Sequence, residues 1–158
     1  MELALESDRP AIAASDGGDL PGPQLHVERT TILGKVNVKN LVLASYVIFR
    51  DTVIVDQKQV GCVRFSYVPV GSVTPQRFEC LPKTSLEDKP PVFTSIRYGD
   101  AGYCQLSLQC PEEIRMGDGS AEIGAFHDLY QPQRETNLRV RLKEYLRFSL
   151  EAGIFYAT

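Results

Sequence analysis

Two histidines, a few carboxylates and four cysteines are the side chains in this chain with a claim to chemistry. His127-Asp128 has the composition of an acid–base pair. Neighbours on a helix point in different directions, though, so the pair reads as packing rather than a relay. His26 stands two residues from Glu28, which puts both on one face of a strand. A metal site there would need a third ligand, and no residue is placed to supply it. Glu28, Asp51 and Asp56 are the carboxylates a polysaccharide-cleaving β-helix would use, but Asp51 and Asp56 fall where the chain turns and read as turn formers. Cys62, Cys80, Cys104 and Cys110 include no C-x-x-C pair, which argues against structural zinc, and the reduced state is expected. GDGSAEIG at 117–124 lacks the lysine of a phosphate-binding loop; it reads as a turn, with Ser120 capping a helix that starts at Ile123. No catalytic, cofactor or metal residue is therefore assigned.

The elements that position these residues come from a repeat. Leu25-to-Asn40, LHVERTTILGKVNVKN, lies over Leu41-to-Asp56, LVLASYVIFRDTVIVD, with a third copy in QKQVGCVRFSYV. At a period of 16, Leu25 meets Leu41, Val27 meets Leu43, Ile32 meets Ile48 and Leu33 meets Phe49, while Val63 meets Val47 and Phe65 meets Phe49. Val36 and Val38 match Val53 and Val55 only after one inserted residue, assigned to a corner near Arg50-Asp51. Period-two alternation within each copy, repeated at short intervals, predicts a short right-handed parallel β-solenoid with Ile32, Ile48 and Val63 as an inner ladder. An antiparallel meander of short strands is the competing reading.

The chain divides into four parts. Residues 1–24 carry five acids against Arg9 alone, plus Gly17-Gly18 and Pro21-Gly22-Pro23, and read as a flexible acidic leader. Residues 25–68 are the coils. Residues 69–110 hold five prolines and read as irregular, with strand-like VFTSIRY and YCQLSLQC about a turn at Gly99-Asp100. Residues 111–158 read as a helical cap, so the fold class is mainly β with C-terminal α.

Within the cap, Leu138, Leu142, Tyr145, Leu146 and Leu150 mark one helix face, with Pro132 in the first turn and Gly153 as the stop. That face is expected to cover an end of the solenoid. Arg134, Arg139, Arg141, Lys143 and Arg147 form the outer, basic face, which reads either as the solvated side of a packed helix or as a docking surface for an acidic partner. At the other end, Leu25, Val27, Ile32 and Val36 should form an open edge that takes a protein partner, a second copy or the leader folding back. A net charge of −3 argues against a general nucleic-acid binder, and the apolar runs are too short to span a membrane. The N-terminus, MELALESDRP, lacks the pattern of a secretory signal, so synthesis in the cytoplasm is expected.

The runs GCVRFSYVPVGSVTPQRFEC, FTSIRYGDAGYCQLSLQCPEEI and GAFHDLYQPQRETNLRVRLKEYLRFSLEAGIFYAT carry a resemblance. They resemble the C-terminal β-helix-plus-cap part of uncharacterised bacterial proteins associated with phage-tail-like contractile injection systems. The likeness spans about residues 25–158, and in that family further coils precede this part. It implies a non-enzymatic structural or assembly module, accessory to such a particle. A carbohydrate-binding or carbohydrate-cleaving β-helix is the alternative from another class; it would need exposed aromatics, for which Tyr46, Tyr67, Tyr98 and Tyr103 are the candidates.

Overall fold

A computed structural model describes residues 10–84, 86 and 88–154. Its named strands pair only in parallel and form three short sheets, the walls of a solenoid. One wall is β1 (Pro10–Ile12), β4 (Lys35–Val38) and β7 (Val53–Val55), in that order. The second is β2 (Leu25–Glu28), β5 (Leu41–Ser45), β8 (Cys62–Arg64) and β9 (Gln76–Phe78). The third is β3 (Thr31–Ile32) and β6 (Ile48–Phe49), extended by bridges from Ile48 to Tyr67 and from Tyr67 to Leu81. All-parallel pairing excludes the meander. The chain is a parallel β-solenoid with a C-terminal helix.

The coils are unequal, which corrects the register expected from a period of 16. Ile32 pairs with Phe49 and Val36 with Val53, an offset of 17. Leu43 pairs with Cys62, an offset of 19, and Cys62 with Gln76, an offset of 14. Leu25 does pair with Leu41, but His26 then pairs with Leu43, so Val42 is the inserted residue. A bulge inside a strand absorbs the mismatch, not the corner at Arg50-Asp51. The inner ladders are consequently Val27–Ala44–Val63 and Ile32–Phe49, with Val36–Val53 and Val38–Val55 on the first wall. Phe49, Ala44, Val53 and Val63 are wholly buried. Ile48, expected in that ladder, points outward. A one-residue change of register exchanges the two faces of a strand.

Outside the third wall Ile48 enters a second core with Tyr67, Leu106, Cys110, Ile114 and Ile123. This is how the C-terminal part is attached. The strand-like pieces after the prolines form no named strand and touch through two isolated bridges, Phe93 to Leu106 and Ser95 to Tyr103. Helix α1 (Glu112–Arg115) contributes Ile114, and residues 121–129 lie as a strap over the corner between the second and third walls. No helix begins at Ile123; Ser120 has φ 60° and the strap runs without regular structure to a 3-10 turn at His127–Leu129.

The long helix α2 (Gln131–Tyr145) departs from its expected role. Pro132 occupies its first turn and is its one buried residue. Leu138 is 49 % exposed and Tyr145 86 %, while Leu142 and Leu146 are half-buried. The helix ends at Tyr145 rather than running to Gly153. Arginines interleave with its apolar residues, so the stripe is too weak to bury. The short elements, α1 and the strap, cover the solenoid instead.

Residues 10–24 are not a free leader. β1 pairs with β4, Gly22 bridges Val38, and the Asn37 side chain donates to the Gly18 carbonyl at 2.6 Å. The acidic residues 1–9 lie outside the described residues, as do 155–158 of the expected cap.

Candidate functional site

The corner between the second and third walls concentrates the chain's aromatic and charged groups. Each coil turns there on one residue in the left-handed region: Arg29 at φ 48°, Tyr46 at 56°, Phe65 at 47° and Glu79 at 46°. None is glycine, and left-handed backbone costs such residues about 1–2 kcal/mol each. The column persists because the coil ladder continues through it. Arg29 N–H donates to the Ser45 carbonyl at 2.9 Å, Tyr46 to Arg64 at 3.3 Å and Phe65 to Phe78 at 3.1 Å. The side chains then stack. Tyr46 and Phe65 lie 5.3 Å apart and nearly parallel, and Phe78 meets Phe65 edge-on at 5.7 Å. Such pairs contribute about 0.5–1.5 kcal/mol beyond burial, which offsets part of the strain.

The strap completes the corner. His127 packs on Tyr46 at 4.2 Å between ring centroids, and its Nδ1 donates to the Glu122 carbonyl at 2.7 Å. Gly124 N–H donates to the Tyr46 carbonyl at 3.0 Å, and Ala125 N–H to Thr31 Oγ1 at 3.1 Å. Tyr46 donates its hydroxyl to Asp118 at 3.0 Å, and Arg29 pairs with Asp128 at 3.0 Å. Gly124 sits at φ 110°, where a Cβ would approach Thr31 Oγ1 to 2.7 Å; only glycine brings the strap this close. His127 and Asp128 thus serve the same strap on different partners, as packing group and tether.

His26 and Glu28 meet on the outer face of β2 at 3.3 Å, both more than half exposed. Among the described residues no three His, Cys, Asp or Glu side chains come together as a metal site. The cysteines are free thiols, and burial pushes Cys80, Cys104 and Cys110 up, away from the thiolate a nucleophile requires. Tyr67, a candidate exposed aromatic, is buried and donates to Asp88 at 2.8 Å; burial, then that bond, push its phenol up. Tyr98 is 88 % exposed and meets Tyr103 edge-on. The ring faces of Tyr46 and Phe65 are spent on each other and on His127, leaving little of them for a sugar ring.

The expected partner edge is brought together in part. Leu25 and Val27 are half-buried against the core on β2, which has no strand on its outer side among the described residues. Ile32 lies on the adjoining edge strand β3. Val36 does not belong with them: β1 covers β4, and Val36 is 1 % exposed. Of the basic residues, Arg134, Arg141, Lys143 and Arg147 are exposed on α2 or just beyond, and Arg139 pairs with Glu135 at 2.8 Å. Arg139, Lys143 and Arg147 border a cleft of about 550 Å³ against the chain that follows the helix.

One residue escaped the sequence. Glu122 is 1 % exposed, and neither of its carboxyl oxygens has a hydrogen-bond partner among the described residues. A single Glu in AEIG carries no sign of burial; only the path of the strap creates it. No helix of the described residues is long and apolar enough to cross a membrane. No family model matches the chain, and neither do the curated proteins or the solved structures it was compared with.

Proposed function

We propose that the chain is a non-enzymatic assembly module that joins another β-structured chain, or a second copy of itself, through the free edge of β2. One observation carries this reading: among the described residues, the N-terminal end of the solenoid is closed on the first wall by β1 and left without a strand on the second. Leu25 and Arg29 direct their N–H groups to the second coil, so alternation turns those of His26 and Glu28 outward. Outward donors beside half-buried Leu25 and Val27 are what strand addition uses. The other end of that wall is blunted. Arg77 takes the inward register position opposite Val63 but bends back, giving Nε to Thr74 at 2.8 Å and a terminal N–H to the Ser72 carbonyl at 3.0 Å. Association therefore has a direction. The place of the module in a phage-tail-like contractile injection system rests on the sequence resemblance.

The test is sedimentation across a concentration series, alone and after co-expression with neighbouring genes. A complex is expected, weakened at least tenfold by His26→Pro, which removes an outward donor without touching the ladder to β5. A complex indifferent to His26→Pro, or none under either condition, rejects the edge.

A further inference from the structure

We infer that Glu122 is a proton-dependent latch: its protonated side chain lets residues 121–129 close over the coil corner, and its ionisation releases them. This is independent of any partner at β2.

The geometry comes first. The Glu122 side chain is enclosed, both oxygens lack a hydrogen-bond partner among the described residues, and the strap that carries it is joined to the coils by single contacts and not by a strand ladder. The strap is held by Gly117 N–H to the Ala121 carbonyl and Ile123 N–H to the Ile114 carbonyl, both at 2.9 Å, by Gly124 to Tyr46 and Ala125 to Thr31, by Ile123 in the second core, by His127 on the Tyr46 ring, and by the exposed Arg29–Asp128 pair. Among the described residues no cation compensates the carboxyl group. From the segment before α1 comes Cys110, a neutral thiol. From α1, Glu113 faces Lys89 at 3.6 Å, and Arg115 gives Nε to the Cys110 carbonyl at 2.8 Å. On the strap, His127 addresses the Glu122 main chain, not its carboxylate. From the corner, Arg29 and Tyr46 are engaged by Asp128 and Asp118.

An unpaired carboxylate in such a place is costly, whereas a neutral carboxyl group is tolerated. Burial accordingly pushes Glu122 up to about 7. Above that pH the charge is relieved by admitting water, and the strap is the covering element that can move. Its opening would bare Ile48 and Ile123 of the second core and loosen the segment leading into α2.

The experiment follows the Glu122 carboxyl carbon by carbon-13 NMR titration and the amides of Ile123 and Gly124 by hydrogen exchange, corrected for intrinsic rates. The expected midpoint is near pH 7. Strap protection should fall on the order of fiftyfold between about pH 5 and pH 8, given linkage of that midpoint to ordinary ionisation in the open state. Val53–Val55 amides should not change, and Glu122→Gln should abolish the dependence. A midpoint in the ordinary carboxylate range overturns the latch, as does pH-independent protection in the unaltered chain or an unchanged profile in Glu122→Gln. Should Glu122→Gln fail to fold, the first two measurements on the unaltered chain decide.

Discussion

Gly61→Ala tests the spacing of the coils at its tightest point. Gly61 precedes β8 and lies under the bulge at Val42 in β5. An added Cβ would overlap the Leu41 carbonyl oxygen and come within 2.8 Å of its carbon and 3.0 Å of the Val42 oxygen. These are main-chain atoms within a sheet, so relief requires separating the second and third coils. Overpacking of this kind costs about 1–3 kcal/mol. The backbone at φ 105° adds strain for an L-residue, again about 1–3 kcal/mol. Together the cost is roughly 2–6 kcal/mol, a large share of the 5–15 kcal/mol typical of a whole domain. Gly71→Ala is the control, since Gly71 also has positive φ, 88°, but nothing lies within 4 Å of its Cβ position. Urea unfolding of both variants separates overlap from strain. Gly61→Ala should lose at least about 1 kcal/mol more than Gly71→Ala. Equal losses would refute the close approach and with it the register of β5 on β8.

Phe49→Ala should cost about 3–5 kcal/mol in the same assay, because Phe49 is wholly buried between the coils. Leu142→Ala, on a half-exposed face of α2, should cost less than about 1 kcal/mol; a larger loss would mean that the helix covers the solenoid after all. Arg29→Ala should lower stability by no more than about 1 kcal/mol, since both it and Asp128 are more than half exposed. Unfolding measured across pH reads Glu122 directly. Its folded pKa lies above its ordinary 4.5, so the folded chain keeps a proton that the unfolded chain gives up. Stability from this group is full below pH 4.5, falls as pH rises to about 7 and is level beyond, a loss of at most about 3 kcal/mol. Glu122→Gln should remove that slope.

The solenoid was legible because alternation and repetition are local. Val36, Asn37 and Val38 against Val53, Ile54 and Val55 give both the strand and its pairing without any knowledge of the rest. The offset was harder. A bulge at Val42 leaves no mark in composition, and a 16-residue comparison therefore placed Ile48 in the ladder that belongs to Phe49. The helix was legible as a helix from Pro132 and its leucines, but its partner was not. Whether a weak apolar stripe is buried depends on which surfaces remain free once the coils and strap have packed. Glu122 was invisible for the same reason, since its burial depends on where the strap is held, against Thr31 and Tyr46, both distant in sequence.

The left-handed column explains why the strap crosses where it does. Four coils bend at one corner through residues that would each relax elsewhere, and the cost recurs with every coil. Side-chain stacking offsets it along Tyr46, Phe65 and Phe78, but the first coil contributes Arg29, which has no ring to add. There the strap takes over: Asp128 meets Arg29, and His127 covers the open face of Tyr46. Strap and corner therefore stabilise one another, and the side of the solenoid they secure adjoins β2, an edge strand among the described residues. If the strap supports that edge, Gly124→Val, which drives a side chain against Thr31 and Ile48, should loosen the amides of β2 and β3 while leaving β7 protected. Hydrogen exchange with protection unchanged at Thr31 and Ile32 would show that strap and edge are uncoupled.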